Sequence, residues 1–175
     1  MKIGYPCLNY SLDCRANKTF RLKSFSQSRL IETVENNLDC LDQILRYNVE
    51  NRMLFFRITS DLVPFASHPV CTFNWQKHFA EKFKQLGKFI KQNRIRISMH
   101  PDQFTLINST DPEIFQRSHN ELRYHANVLD SMQLDHTARI QIHVGGVYGD
   151  KPASMKRFIK RFEIFDEPVR NRLFI

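Results

Sequence analysis

With 175 residues, 42% of them hydrophobic and 25% charged, the chain has the makeup of one ordinary globular unit. No apolar run approaches the ~20 residues that a membrane-spanning helix needs, so a membrane partner is not expected. The formal net charge of +8 points instead to a polyanionic partner such as nucleic acid. The four cysteines (Cys7, Cys14, Cys40 and Cys71) form no C-x-x-C pair, which argues against a zinc knuckle or a thioredoxin-type motif. The opening MKIGYPCLNY lacks the apolar core of a signal peptide, so a cytoplasmic protein with reduced thiols is expected.

In chain order, Lys2 to Tyr5 reads as a short strand ended by Pro6, followed by a polar loop carrying Asn9, Tyr10, Arg15, Lys18, Arg21 and Lys23. Leu30, Val34, Leu38, Leu41 and Leu45 recur at helical spacing, with Ser28 as the expected cap. Met53 to Ser60 alternates as a second strand and runs into a loop with Asp61 and His68. Phe79, Phe83, Leu86 and Ile90 mark the next helix, opened by Asn74 and closed by Asn93. The third strand is Arg94 to His100. Asp111-Pro112-Glu113 then starts a helix through Phe115, Leu122 and Leu129. Arg139 to Val144 is the fourth strand, Asp150 caps a helix through Met155, Phe158 and Phe162, and Arg172 to Ile175 begins a fifth strand.

Strand and helix alternate throughout, the pattern of parallel strands joined by helical crossovers. Three strands are apolar on one face and carry Arg57, Arg96, Ser98, Gln141 and His143 on the other. An open doubly covered sheet would be apolar on both faces, so the expected fold is a (β/α) TIM-type barrel with a polar interior. Such barrels take about 250 residues, which makes residues 1–175 a single incomplete domain, the first half of a barrel through strand five.

The stretches ISMHPDQFTLINS and IQIHVGGVYGDK each deliver a histidine, His100 or His143, at the last polar position of a strand, next to a turn. Active sites in parallel barrels form at the carboxyl ends of strands, and imidazole suits manganese or zinc, so the pair reads as metal ligands. No P-loop is present, and no nucleotide cofactor is expected.

Four motifs in order (IGYPCLNYSL, FFRITSDLVPFASH, ISMHPDQFTLINS and IHVGGVYGDK) make the sequence resemble the UV DNA damage endonuclease family, over nearly the whole chain. The resemblance implies a monomeric, divalent-metal-dependent DNA repair endonuclease, commonly with a manganese cluster. Such an enzyme nicks double-stranded DNA 5′ to UV photoproducts without ATP and starts an alternative excision repair pathway. It implies His100 and His143 as metal ligands and His68 as a catalytic residue near the reaction centre. Gln103 and Phe104 match a glutamine and aromatic that enter the duplex at the lesion, and Tyr5 and Asn9 match residues lining the damage pocket. The family's further ligands lie on strands beyond Ile175, so the chain alone is expected to be inactive.

Other residues stay open between roles. Arg57 contacts phosphate or pairs with Asp61; Asp102 orients His100 or only shapes its turn; Phe104 is a wedge or a buried loop cap. Gly145, Gly146 and Lys151 fit either a DNA contact or turn and surface roles, and His78, His119, His125 and His136 read as surface or helix-packing residues. The rival functions are a metal-dependent sugar isomerase or epimerase on the same barrel, and a non-catalytic DNA-binding remnant.

Overall fold

The computed structural model describes all of residues 1–175. The strands are β1 (Gly4–Pro6), β2 (Phe55–Ile58), β3 (Arg96–Met99), β4 (Arg139–Gln141) and β5 (Leu173–Phe174). The helices are α1 (Gln27–Glu50), α2 (Trp75–His78), α3 (Ala80–Gln92), α4 (Pro112–Ser131), α5 (Lys151–Phe162) and α6 (Glu167–Arg170). All five strands pair in parallel in the order β1-β2-β3-β4-β5. Of the expected fold, the structure shows the α/β alternation and an open five-stranded parallel sheet, with β1 and β5 at its edges.

Register explains the two faces. Tyr5, Phe56 and Ile97 share one row, and Pro6, Arg57 and Ser98 the next. The first row packs into the core that α1, α3 and α4 cover, and Phe56, Ile97 and Ile140 are almost wholly buried there. The second row continues through Arg139, opposite Ser98, and forms the polar face. Pro6 closes β1 at the sheet edge, where a missing amide costs no ladder bond. The strands are shorter than their apolar patterns because turns take their ends: Ser60–Leu62 forms a 3-10 turn after β2, and Pro101 follows β3 closely.

Ser26 rather than Ser28 caps α1. Its backbone is extended and its hydroxyl accepts from Arg29 N–H at 3.2 Å, while Ser28 Oγ lies 3.2 Å from Ser26 Oγ. Asn74 caps as expected, but the helix it opens breaks at Phe79, which ends α2 and begins α3. The break lets Trp75, Phe79 and Phe83 all reach the core. Asp111 and Asp150 cap α4 and α5 through Glu113 N–H and Ala153 N–H.

Two further features depart from the sequence reading. Cys14 and Cys40 form a disulfide, whereas reduced thiols were expected; Cys7 and Cys71 are free. The 26-residue separation spells no motif, but the loop after β1 folds back on α1 and brings the two Cα atoms to 5.3 Å, within bridging range. Arg172 precedes β5 instead of starting it and is 1% exposed. Its guanidinium donates to Asp130 at 2.6 Å and to the carbonyls of Leu134, Asp135 and Ala138 at 2.7, 2.8 and 3.0 Å. That network fastens the end of α4 and the entry to β4 against the last strand.

Candidate metal centre and nucleic-acid interface

His100 leaves β3 and His143 lies just past β4, both in the parity of the polar face. Their Nε2 atoms are 3.2 Å apart, with ring centroids at 5.0 Å. His100 Nδ1 lies 2.6 Å from the Pro101 carbonyl, which can only accept, so Nδ1 is the donor in that contact and Nε2 is the nitrogen turned towards His143. This is the usual arrangement of a metal-ligating histidine, held by a backbone carbonyl at its far nitrogen. With metal–nitrogen bonds of ~2.1 Å, two nitrogens at the observed 3.2 Å subtend roughly 100° at a shared ion, a normal angle between neighbouring ligands. The pair therefore fits a divalent ion as two of its ligands. No third His, Cys, Asp or Glu joins them in a ligating group.

Asp61, Asp102 and Glu121 form an acidic group whose charges act on one another. Burial raises the Asp61 carboxyl above the usual range, and the neighbouring Asp102 adds to the effect. Glu121 is raised likewise by burial, partly offset by a hydrogen bond from Ser67, with Asp102 and Asp61 pushing further. Asp102 does not orient His100: its Oδ1 accepts from Phe104 N–H at 2.6 Å and shapes the turn. Nor does Arg57 pair with Asp61; its Nη2 donates to Gln141 Oε1 at 3.3 Å across the polar face.

An open cleft of about 730 Å³ is lined by His68, Asp102, Phe104, Arg117 and Glu121, among others. Phe104 stands at 71% exposure on a loop turn, which rules out a buried cap. Gln103 beside it is also exposed. His68 is exposed too, and its Nδ1 accepts from Val70 N–H at 3.1 Å, leaving Nε2 free to carry the proton. The basic residues Arg15, Lys18, Arg21 and Lys23 are all exposed on the loop after β1, and Arg15 lies over the Tyr10 ring at 5.9 Å.

Tyr5 and Asn9 come together with each other and with α1. Asn9 Nδ2 donates to Tyr5 Oη at 2.5 Å, and Tyr5 Oη donates to Asn48 Oδ1 at 2.6 Å. Burial raises the Tyr5 phenol pKa against these two hydrogen bonds. Tyr5 thus lies in the core-facing row, away from the polar face that bears the histidines. His125 is wholly buried, His119 stacks on Phe165, and His78 packs on Phe79, all as helix-packing residues.

Sequence reading missed the buried polar residues that hold the loops. Asn37, fully buried in α1, accepts from Lys18 N–H and donates to the carbonyls of Lys18, Asp61 and Leu62, fixing both the basic loop and the end of β2. Tyr124 Oη accepts from Val63 N–H and donates to the Ser60 carbonyl. The available signal was an asparagine on an apolar helical stripe: Asn37 follows Val34 and precedes Leu41, and Asn48 follows Leu41 and Ile44.

A family model described as UV-endonuclease UvdE matches residues 1–175. The chain belongs to the UvdE family. Among its relatives, the UV DNA damage endonuclease of Clostridium perfringens (strain 13 / Type A) is 40% identical over 175 residues, covering 100% of this chain and 42% of that protein. The one from Bacillus anthracis (strain A0248) is 34% identical over 181 residues, covering 99% and 57%. The crystal structure of SacUVDE superposes with a TM-score of 0.97 at 43% identity, covering 100% of this chain and 60% of that one. This UvdE-family chain therefore spans about half the length of the relatives it matches.

Proposed function

We propose that the chain forms the first strands of a metal-dependent (β/α) barrel endonuclease that nicks double-stranded DNA 5′ to UV photoproducts, as a cytoplasmic monomer without a nucleotide cofactor. The carrying observation is the pair of strand-end imidazoles, Nε2 to Nε2 at 3.2 Å, on the same end of the sheet as an exposed Phe104. His100 and His143 would hold a divalent ion, with manganese as the first choice, and such ions supply water activation and charge neutralisation at a phosphodiester.

The chain's own residues do the rest. The Pro101 carbonyl keeps His100 in its ligating tautomer. His68, with Nδ1 committed to Val70 N–H, presents Nε2–H as a proton donor at the cleft. Phe104 stacks in the space left by poorly stacked photoproduct bases, with Gln103 beside it. The basic loop after β1 engages the phosphate backbone.

The 5′ position of the cut and the photoproduct substrate rest on the family likeness. A sugar isomerase on the same fold draws no support from the relatives, which are named UV DNA damage endonucleases. With two ligands only, the 175-residue chain does not incise by itself. Fluorescence anisotropy should show tighter binding to irradiated than to unirradiated duplex, while irradiated plasmid with Mn²⁺ stays supercoiled. Equal affinity would refute lesion recognition, and efficient nicking would refute the dependence on further ligands.

A further inference from the structure

The ladder between β3 and β4 is short. It pairs only Ser98 with Arg139 and Met99 with Ile140, so it stops before either candidate ligand. His100 and His143 lie one and three residues past their last paired positions, and the backbone ladder does not set the distance between them. A different set of contacts joins the two loops. Asn108, 1% exposed in the loop after β3, donates from Nδ2 to the Gly146 carbonyl in the loop after β4, at 2.8 Å. Its own carbonyl accepts from Arg157 Nε of α5 at 2.7 Å. Arg161 donates to the carbonyls of Ile107 and Ser109 on either side. Arg157 also reaches Ser154 Oγ at 3.2 Å, and Ser154 Oγ donates to the Val147 carbonyl at 2.6 Å.

A second observation points to the same residue. Gly145 has φ +98, and a Cβ added there would lie 2.1 Å from Asn108 Oδ1. The amide therefore rests against the bare backbone of Gly145, two residues after His143. Asn108 Oδ1 is buried with no donor. Reversing the amide would set that oxygen against the Gly146 carbonyl, so the orientation is fixed by repulsion as well as by the bond. A buried acceptor left unpaired is unfavourable for stability, so what this amide contributes is the bond its Nδ2 makes to the loop after β4.

We propose that Asn108 is a positioning residue: it ties the loop after β3 to the loop after β4 and so holds His100 Nε2 and His143 Nε2 within 3.2 Å of each other. The inference rests on the proposed function for its purpose, since the geometry it maintains is that of two ligands to one ion. Loss of a group bonded directly to a ligand lowers metal affinity by about 10- to 100-fold; Asn108 acts through the two loops, and the lower end of that range is expected.

The test uses the 175-residue chain and two NMR readouts. The first needs no metal: a cross-relaxation peak between the His100 and His143 ring protons. The second is the Mn²⁺ concentration that broadens both rings. Asn108→Asp keeps the shape but sets a carboxylate against the Gly146 carbonyl. Gly145→Ala, in an exposed loop, displaces Asn108 without altering it and serves if the first variant fails to fold; backbone signals of α1 and β2 report folding. Both variants should lose the cross-peak and need at least about tenfold more Mn²⁺. Loss of the cross-peak in a chain that binds no Mn²⁺ even as wild type supports the positioning role and overturns the metal role of the pair. An unchanged cross-peak in a folded variant overturns the proposal.

Discussion

Replacing Phe104 with alanine separates folding from recognition. The ring is 71% exposed and its backbone N–H, not its side chain, makes the turn's hydrogen bond to Asp102. Surface truncations of this kind change stability by no more than about 0.5 kcal/mol. On DNA the same ring has much to gain. A phenylalanine side chain offers roughly 200 Å² of surface, so the 71% left open is about 140 Å²; a base covering half of it gains ~2 kcal/mol at ~25 cal/mol per Å². That value falls within the roughly 1 to 3 kcal/mol found for base–aromatic stacks, or about 5- to 150-fold in affinity. Anisotropy titrations with irradiated and unirradiated duplexes at one salt concentration measure it. Phe104→Ala should weaken binding to irradiated duplex by that factor and leave binding to unirradiated duplex nearly unchanged, with an unaltered urea midpoint. Equal loss on both duplexes, or loss through unfolding, would refute the wedge.

Two stability predictions follow from buried polar groups. Arg172→Ala leaves three backbone carbonyls without their donor, and breaking such a buried network costs about 3 to 5 kcal/mol; Arg172→Lys should recover only part, since an ammonium cannot reproduce the planar fork. Urea unfolding measures both, and a loss below about 1 kcal/mol would contradict the network's role. Burial lowers His125 from 6.5 to about 4, so the unfolded chain takes up a proton that the folded chain refuses. Its contribution is fully present above pH ~6.5 and falls by about 3 kcal/mol as pH drops towards ~4. Asp61 and Glu121, with raised values, act in the opposite sense over acid pH, so the comparison is with His125→Leu. The difference in unfolding free energy between wild type and variant should shrink on acidification; a difference independent of pH would refute the assignment.

Much of the fold was legible because period and caps agree locally. The strand-helix alternation, Asp111-Pro112, Asp150 and the apolar stripe of α1 each specify their element within a few residues, and the parity of His100 and His143 placed both on the polar face. What the sequence hid depends on contacts between distant segments. Nothing near Cys14 announces Cys40, and Arg172 reads as an ordinary strand residue until Asp130 and the carbonyls of Leu134 and Ala138 converge on it. The sequence leaves Asp102 between orienting His100 and shaping its turn, and Arg57 between a phosphate and Asp61; the structure puts Asp102 in its turn and Arg57 on Gln141, 84 residues away. Tyr5 could be matched to a family position by sequence, but only the register shows that it shares a row with Phe56 and Ile97.

The most direct test joins this chain to the remaining part of SacUVDE and assays supercoiled plasmid with Mn²⁺. The account predicts nicking of irradiated but not unirradiated plasmid, lost in His100→Ala and in His143→Ala. A folded chimera that nicks irradiated plasmid equally well without either histidine would contradict it.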